Sequence, residues 1–205
     1  MKTRNLILNS ALDFFNKKGF EHASTYDIAK SIEISQGNLT YHFPTKRDLV
    51  NVLAKQMIAE IDTTILEIND DFSLKVFYDN LKFTFTVNLK YSFLYMNYSQ
   101  IVLNDEDLND YFIQNSAGRK KLLKKMLIAL ERNDYIEKNS IIKLNDHVAD
   151  VINLIAIYWV PEAEIYHRKN TDQEKINHHL SLIFLLFKPY LTQKGEENLK
   201  EFFNY

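Results

Sequence analysis

The amino-acid sequence predicts an all-α protein, in which a small N-terminal unit of three helices continues into a larger helical bundle. Apolar residues recur at three- and four-residue intervals along much of the chain, which is the spacing of one helix face. The 205 residues include only four glycines and three prolines, too few for the many tight turns of an all-β chain. The chain has no cysteine, so disulfide frameworks, iron–sulfur clusters and thiolate zinc sites are excluded.

The same composition narrows the possible functions. The glycines, at positions 19, 37, 118 and 195, are at least 18 residues apart. A phosphate-binding glycine loop or the nucleophile elbow of a hydrolase needs glycines only a few positions apart. We therefore expect a protein that is not an enzyme and that uses no cofactor.

Charge and hydropathy predict a cytoplasmic protein with no membrane partner. The net charge is −2, from 25 basic and 27 acidic residues, which is unlike a polybasic nucleic-acid coat. The first ten residues, MKTRNLILNS, contain no apolar core of signal-peptide length. The longest strongly apolar run, 180–187, has eight residues, whereas a membrane span needs about 20.

The first predicted helix is amphipathic and ends at Gly19, where a left-handed C-cap is expected. Its buried face holds Ile7, Ala11, Leu12 and Phe15.

Two short helices follow, separated by a tight turn. The second helix is predicted to begin at Thr25, whose hydroxyl can cap it, and to bury Ile28 and Ala29. Ser35 is the capping residue of the third helix, which ends after about eight residues because the residue before Pro44 disfavours helical backbone.

The fourth helix begins with a T-x-x-D capping box, formed by Thr45 and Asp48. Its apolar face carries Leu49, Val52 and Leu53. We expect residues 1–46 to form one domain and residues 47–205 the other, with the boundary at a continuous helix rather than in a flexible linker.

The remaining chain is predicted to form helices over about 72–102, 106–133, 145–168 and 172–191, with a short one near 195–203. The first of these should break near Lys90-Tyr91.

The third helix carries the residues most informative about function. A helix this short, packed across another, fits a DNA major groove and presents its first turn to the bases. That turn holds Gln36, Gly37 and Asn38. Glutamine and asparagine can pair bidentately with adenine, and a glycine lets the backbone come close. Around them lie side chains that can reach phosphates, namely Thr25, Tyr26, Tyr41, His42 and Lys46.

Over about residues 5–55 the sequence resembles the DNA-binding domain of the TetR family of bacterial transcriptional regulators. The matching elements are Ala11-Leu12 and Phe15, KGF at 18–20, Thr25-x-x-Ile28-Ala29, Ser35-x-Gly37-x-Leu39-x-Tyr41-His42-Phe43, and Lys46-x-x-Leu49. The resemblance implies an all-helical fold whose carboxy-terminal part dimerises and binds a small effector, which releases the dimer from its operator.

Two positions depart from the family pattern. The family usually has glycine in the turn between the second and third helices, where this chain has Glu33. If the backbone there still needs a positive φ, Glu33 costs about 1 kcal/mol. The family commonly has two adjacent aromatics where this chain reads Thr40-Tyr41, so we assign no groove contact to Thr40.

The aromatic residues between 72 and 112 have two interpretations. They can fill the core of a helical bundle, or they can line an apolar effector pocket with phenolic hydroxyls as orienting groups. The candidate pocket residues are Phe85, Tyr91, Tyr95, Met96, Tyr98 and Trp159.

Two helices are candidates for a dimer interface. The segment 176–191 is apolar on all sides, so it must be covered both by its own subunit and by something else. With the apolar stripe of 145–160, it could form a four-helix interface across a two-fold axis. The alternative is deep burial within one bundle. The candidate interface residues are Val148, Ile152, Ile155, Leu180, Ile183, Phe184 and Phe187.

No metal site is expected. The adjacent His178 and His179 point about 100° apart on a helix and cannot easily share one ion. No H-E-x-x-H motif is present.

Together these observations predict a ligand-responsive, sequence-specific DNA-binding transcriptional regulator. We expect a homodimeric repressor that a small, largely apolar effector releases from a near-palindromic operator of double-stranded DNA. Two alternatives stay open. One is a helical small-molecule-binding or scaffolding module without DNA binding. The other is an enzyme acting through the aromatic pocket, for which the sequence offers no nucleophile or acid–base pair.

Overall fold

A computed structural model describes residues 2–63, 68 and 70–203, with only the backbone over 141–146. In this described part, the chain consists of α-helices and one short 3₁₀ turn, Lys188–Tyr190. Ile136 and Leu191 form an isolated antiparallel bridge. The predicted all-α fold is confirmed.

The first four helices form the N-terminal unit and its continuation. They are α1 Lys2–Lys18, α2 Thr25–Ser31, α3 Gln36–His42 and α4 Lys46–Asp62. Their core is closed by apolar side chains that water does not reach, among them Ile7, Phe15, Ile28, Leu39 and Leu49. Gly19 follows α1 with a φ of 81°, which is the left-handed C-cap predicted for a glycine at that position.

The helix caps agree with the sequence except at α2. Ser35 Oγ accepts a hydrogen bond from Asn38 N at 3.1 Å, and Thr45 and Asp48 form the reciprocal capping box. The predicted cap at Thr25 is wrong, because Ser24 caps α2 and accepts from Asp27 N at 3.0 Å. Ser24 has the extended backbone that lets a hydroxyl reach the third helical N–H.

In the part of the chain that the structure describes, seven further helices build the larger bundle. They are α5 Leu74–Lys90, α6 Ser92–Met96, α7 Tyr98–Leu103, α8 Glu106–Arg132, α9 Ser140–Tyr166, α10 Asp172–Phe187 and α11 Gln193–Phe202. The predicted break at Lys90-Tyr91 is confirmed. A second break near Asn97 was not predicted. There the Asn97 side-chain amide donates to Phe93 O at 2.9 Å, a local bond that competes with the helical ladder.

Aromatic packing joins the helices of this bundle. The Phe77 ring on α5 lies with its centroid 5.8 Å from that of Phe184 and 5.9 Å from that of Phe187, both in edge-on contacts. Such edge-to-face pairs are favourable beyond the area they bury. Helix α9 packs against α8, α6 and α10, which places it beside both the interior and one outer face of the bundle.

The N-terminal unit is attached to the bundle through α1. The Asn16 side chain donates to Lys90 O at 2.8 Å and accepts from Phe93 N at 3.0 Å. Next to it, the Phe15 and Phe93 rings lie 5.0 Å apart. Asn16 therefore bonds backbone groups at the α5–α6 break, where the helical ladder is interrupted.

A second attachment lies at the start of α4. The Arg47 guanidinium is hydrogen-bonded to the buried carboxylate of Asp105, and Asp105 caps α8 by accepting from Leu108 N at 3.0 Å. These donors hold the pKa of Asp105 well below its usual range, with Arg47 as the largest cause. The ion pair thereby joins the first turn of α4 to the first turn of α8.

Glu33 has the backbone conformation that favours glycine. Its φ is 57°, in the left-handed region where a side chain crowds the following carbonyl. The turn between α2 and α3 keeps this geometry because Ile34 N donates to Ala29 O at 3.1 Å, which fixes the approach to α3. The strain expected for Glu33 is thus present in the structure.

We predict that Glu33→Gly raises the free energy of unfolding by about 1 kcal/mol, because glycine removes the left-handed strain. Urea denaturation measures the change. Glu33→Ala is the matched control, since alanine also lacks the carboxylate but keeps the Cβ that causes the strain. A gain of equal size in both variants would contradict the assignment.

Asp105→Asn should lower the free energy of unfolding by about 2 kcal/mol at pH 7, since it removes a charged hydrogen-bond acceptor. Because Arg47 depresses the pKa of Asp105, its contribution is complete above the unfolded-state pKa of about 4 and is lost as the pH falls further. The wild type and the variant should therefore converge in stability toward low pH. The exposed Asp110→Asn serves as control and should show neither effect.

Candidate DNA-binding surface and ligand cavity

Helix α3 is anchored by one face and exposed by the other. Leu39 and Phe43 are buried in the core of the N-terminal unit. Gln36, Gly37 and Asn38 lie in the first turn and are exposed. The predicted base-contact residues are thus together on one accessible edge, with their backbone held by the Ser35 cap.

The side chain of Gln36 is already oriented. Its Nε2 donates to Thr25 Oγ1 at 3.0 Å, a bond that is possible because Ser24 and not Thr25 caps α2. The second N–H and the carbonyl oxygen of the amide are left for an outside partner. Thr40 turns back along its own helix and donates to Gln36 O at 2.9 Å, in keeping with the absence of a groove contact assigned to it.

No close contact within the described chain requires a glycine at position 37. A Cβ added there would meet only Ser35 Oγ, at 4.0 Å. Glycine in a helix is unfavourable relative to alanine by roughly 0.5–1 kcal/mol, so the missing side chain is a cost to folding. The space it leaves lies on the outer edge of α3, where another molecule can approach the backbone.

The candidate phosphate-binding residues surround this edge but differ in exposure. Tyr41 is 84% exposed and Tyr26 is 61% exposed, so both hydroxyls can reach a partner. His42 is half-buried and lies beside Tyr41, with ring centroids 5.2 Å apart. The hydroxyl of Thr25 already accepts from Gln36.

Lys46 is more firmly held than the other candidates. Its Nζ donates to Glu21 O at 3.2 Å and lies 4.3 Å from the centroid of the Phe20 ring. Burial lowers the pKa of Lys46, partly offset by the charge of Glu21. The ammonium group has three N–H donors, so donors remain for a phosphate, but the side chain also supports the fold.

Helix α4 runs from this surface to a cavity inside the bundle. Its last turns are held by two ion pairs. Glu60 accepts from Lys90 Nζ at 2.7 Å, and Asp62 accepts from Arg119 at 2.8 Å. Burial, together with the Glu60 carboxylate, raises the pKa of Tyr91 to about 12. Its phenol therefore keeps its proton and donates to Glu60 at 3.1 Å.

The cavity has two adjoining parts, of about 110 Å³ and about 90 Å³. The larger part is mostly apolar and lies between α4, α5, α8 and α9. It is lined by residues that include Ile61, Phe77, Leu81, Leu122, Leu123, Met126 and Ile152. Both parts share Ile61, Thr84, Arg119, Asn153 and Ala156, so Arg119 stands at their junction.

Two of the six predicted pocket residues line this cavity. Tyr95 and Tyr98 lie on the smaller part. Burial raises the pKa of both phenols, and Tyr95 donates to Asn88 Oδ1 at 2.6 Å. Both side chains therefore face the cavity as protonated phenols.

The structure puts the other four predicted pocket residues elsewhere. Phe85 and Trp159 stack on each other in the core, with ring centroids 4.8 Å apart. Tyr91 bonds Glu60, and Met96 is about half exposed at the surface. Aromatic composition predicts burial, but it does not indicate which side of a helix faces the cavity.

Sequence reasoning missed Arg119 and Asn80. Both lie within helices among charged and polar neighbours, where a solvent-exposed side chain is the usual interpretation. The available signal was the apolar stripe of α8, Leu122, Leu123 and Met126, which lies on the same cavity.

The outer faces of α9 and α10 carry exposed apolar side chains at helical spacing. They are Val151, Leu154, Tyr158 and Ile165 on α9, with Leu182 and Leu185 on α10. A row of this kind, with members three, four and seven residues apart, forms a continuous stripe along a helix.

Most of the predicted interface residues lie inside the subunit instead. Leu180, Ile183, Phe184 and Phe187 are buried by the same chain, and Ile152 lines the cavity. Val148 and Ile155 are half-buried. Helix α10, which is apolar on all sides, thus turns both of its phenylalanines inward, and its outer face is formed by Leu182 and Leu185.

Three histidines lie close together, His167 at the end of α9 and His178 and His179 on α10, and they have partners within the chain. His179 is buried, with Nδ1 2.8 Å from Lys175 O and Nε2 2.7 Å from the Glu162 carboxylate. The His167 and His178 rings lie 4.3 Å apart. Among the described residues, no group of three or more histidine, aspartate or glutamate side chains is arranged to hold a metal ion.

The hydropathy of the helices gives one further fact. No helix in the described ranges is both long and apolar enough to cross a bilayer.

Models of known protein families match the chain in two consecutive parts. Residues 7–53 match the model for bacterial regulatory proteins of the tetR family. Residues 56–199 match the TetR model, described as a bacterial transcriptional repressor. The second match alone covers more than half of the chain.

Curated relatives and a solved structure agree with the assignment by the family models. The negative transcriptional regulator IcaR of the biofilm operon icaADBC from Staphylococcus epidermidis is 28% identical over 140 residues, 65% of this chain and 76% of that protein. IcaR from Staphylococcus aureus strain Newman is 26% identical over 99 residues, 47% of this chain, and the match spans 53% of its length.

A crystal structure of a TetR-family transcriptional regulator from Marinobacter aquaeolei VT8 has the same fold, with a TM-score of 0.88 at 24% identity over 98% of both chains. The family matches favour a DNA-binding regulator over the two alternatives, a module without DNA binding and an enzyme. The chain belongs to the TetR family of bacterial transcriptional regulators, as the motifs of its first 55 residues predicted.

Proposed function

We propose that this protein is a homodimeric repressor that binds a near-palindromic operator through α3 and leaves it when a small effector fills the cavity. The observation that carries the proposal is the exposed first turn of α3, which holds Gln36, Gly37 and Asn38. The opposite face of α3 is buried in the protein core, and α4 connects this region to the cavity. Since the operator is bacterial DNA, the protein acts in the cytoplasm.

In this proposal the first turn of α3 reads bases and its surroundings hold the backbone. The amides of Gln36 and Asn38 can each donate to and accept from one adenine. Tyr26, Tyr41 and His42 are suited to phosphates, which position a protein without reading sequence. The moderate charge of the chain is compatible with a dimer that relies on hydroxyl and backbone donors.

The second copy is proposed to cover the exposed stripe of α9 and α10. Paired across a two-fold axis, Val151, Leu154 and Tyr158 of one subunit would meet the same helices of the other in a four-helix interface. Such a dimer would present two α3 helices about 34 Å apart, to successive major grooves. Of the residues predicted from sequence, Val148 and Ile155 border this stripe.

The relatives support repression rather than activation. IcaR is a negative regulator of its operon by name, and repression is the corresponding proposal for this chain. Helix α4 provides the connection to the effector, because it begins beside α3 and its residues Met57, Ile58 and Ile61 line the cavity. A ligand changes DNA affinity only by its differential affinity for the two conformations.

Selection of random duplexes by the purified protein tests the function directly. We expect a near-palindrome whose half-sites are about 10 bp, or a multiple, apart. Gln36→Ala and Asn38→Ala should each lose about 1–3 kcal/mol of discrimination at one position of each half-site. Tyr41→Phe is the matched control, since loss of a phosphate contact should weaken all sequences alike. Recovery of no enriched duplex would refute the proposal.

Gly37→Ala should separate folding from DNA binding. Alanine favours the helix and meets no clash within the chain, so the free energy of unfolding should rise by roughly 0.5–1 kcal/mol. The added methyl should nevertheless weaken operator binding, because it occupies the space where the backbone approaches DNA. Chemical denaturation and fluorescence anisotropy measure the two effects. Full operator affinity in this variant would show that the space is unused.

Leu154→Asp should convert the dimer to a monomer, because it puts a charge into a desolvated stripe. Sedimentation velocity measures the change, and operator affinity should fall with it. Ile128→Asp on α8 is the matched control, as Ile128 is similarly exposed, 51% against 58% for Leu154, but lies on another helix. Dissociation by both variants, or by neither, would disagree with the proposed interface.

A further inference from the structure

The geometry points to a specific class of effector: a slender apolar molecule with one carboxylate, whose head group takes the place of Asp62 on Arg119. The inference deepens the proposed function, and its effect on DNA rests on that function. The binding site itself can be tested without DNA.

The charge of the cavity lining favours an anionic ligand group. The described residues that line its two parts include two cations, Arg119 and Lys120, and no carboxylate. Their counter-ions come from outside the lining: Asp62 from α4 and Asp150 from α9. The charge of Arg119 also opposes the rise in the pKa of the buried Tyr95, so its field extends into the smaller part. A negative ligand group is favoured here, and a cationic one is disfavoured.

One buried hydrogen-bond donor among the described lining residues has no acceptor. Tyr95, Asn88 and the carbonyl of Ala156 satisfy one another in a chain with bonds of 2.6 Å and 3.1 Å. Within the described residues, the buried Nδ2 of Asn80 donates to nothing, although it lines the larger part of the cavity. A buried donor without an acceptor is costly, and a carboxylate supplies only acceptors.

The size of the apolar space favours a slender ligand. Volumes of about 110 Å³ and 90 Å³ are each comparable to an engineered cavity of about 150 Å³ that holds one benzene. A short alkyl or aryl chain matches these volumes better than a bulky polycyclic molecule does. Its tail would lie against Leu81, Leu123 and Met126, with its head at the junction where Arg119 stands.

The exchange at Arg119 links this site to α4. Asp62 is the last residue of α4 and bonds Arg119 at 2.8 Å, with both side chains partly exposed and therefore able to separate. A ligand carboxylate that takes over the guanidinium removes one of the two ion pairs that hold the end of α4, while Arg47 and Asp105 still hold its beginning. The helix can then change its angle, which alters the position of α3.

Calorimetry with octanoate, 1-octanol and octylammonium tests the ligand class. We expect octanoate to bind the wild type at least about tenfold more tightly than 1-octanol, with no binding of octylammonium, because a charge-assisted hydrogen bond replaces a neutral one. Arg119→Gln should remove this preference and leave the affinity for 1-octanol unchanged, which also reports that the cavity is intact. Equal affinities for octanoate and 1-octanol, or binding of none of the three, would overturn the inference.

Lys121→Gln is the matched control for charge. It removes a positive charge from the same helix, at an exposed residue that lines neither part of the cavity. Octanoate affinity should change by less than about threefold in this variant, as expected for a partly exposed charge. A loss equal to that of Arg119→Gln would assign the effect to general electrostatics and overturn the exchange.

Asp62→Asn tests the link to α4. Removing the competitor should tighten octanoate binding several-fold and should weaken operator binding in the absence of any ligand. Unchanged octanoate affinity would overturn the exchange. Failure of the wild type to select any duplex would instead refute the proposed function, and the calorimetric preference for octanoate would still report on the site.

Discussion

The arrangement of this protein depends on how the two ends of α4 are held. The start of the helix is secured by the Thr45–Asp48 capping box and by the ion pair of Arg47 with Asp105. Its end is secured by Glu60 and Asp62, each bonded to a cation on another helix. Because the middle of the helix is packed by apolar side chains, it is suited to move as a rigid element.

The two ends are held by interactions of different strength. Asp105 is buried and has several donors, so its pairing with Arg47 is difficult to replace. The pairing of Asp62 with Arg119 is partly exposed and is made through a hydrogen bond of 2.8 Å, so another anion can compete for it. The start of α4, beside α3, is thus held firmly, whereas its end, beside the cavity, is held by a contact that another anion can replace. A helix held in this way can pivot about its firmly held end.

Helix α3 combines burial and exposure at neighbouring positions. Leu39 and Phe43 are buried in the core of the N-terminal unit, and the strained turn at Glu33 fixes where the helix begins. The strain at Glu33 and the low helix propensity of Gly37 both reduce stability, and the well-packed core of the N-terminal unit compensates for them. Residues that oppose folding are here concentrated on the edge proposed to meet DNA, as expected for a binding surface.

The helical class, most helix ends and the exposed first turn of α3 can be predicted from the sequence alone, since these follow from local rules. Capping hydroxyls, proline and apolar spacing act over three or four residues, and the family motifs lie within one stretch of 55. Tertiary structure decided which aromatics line the cavity, that Arg119 stands at its junction, and that Phe184 and Phe187 face inward while Leu182 and Leu185 face outward. Those outcomes depend on the rotation of each helix against its neighbours, and a helix that is apolar on all sides carries no local signal for that rotation.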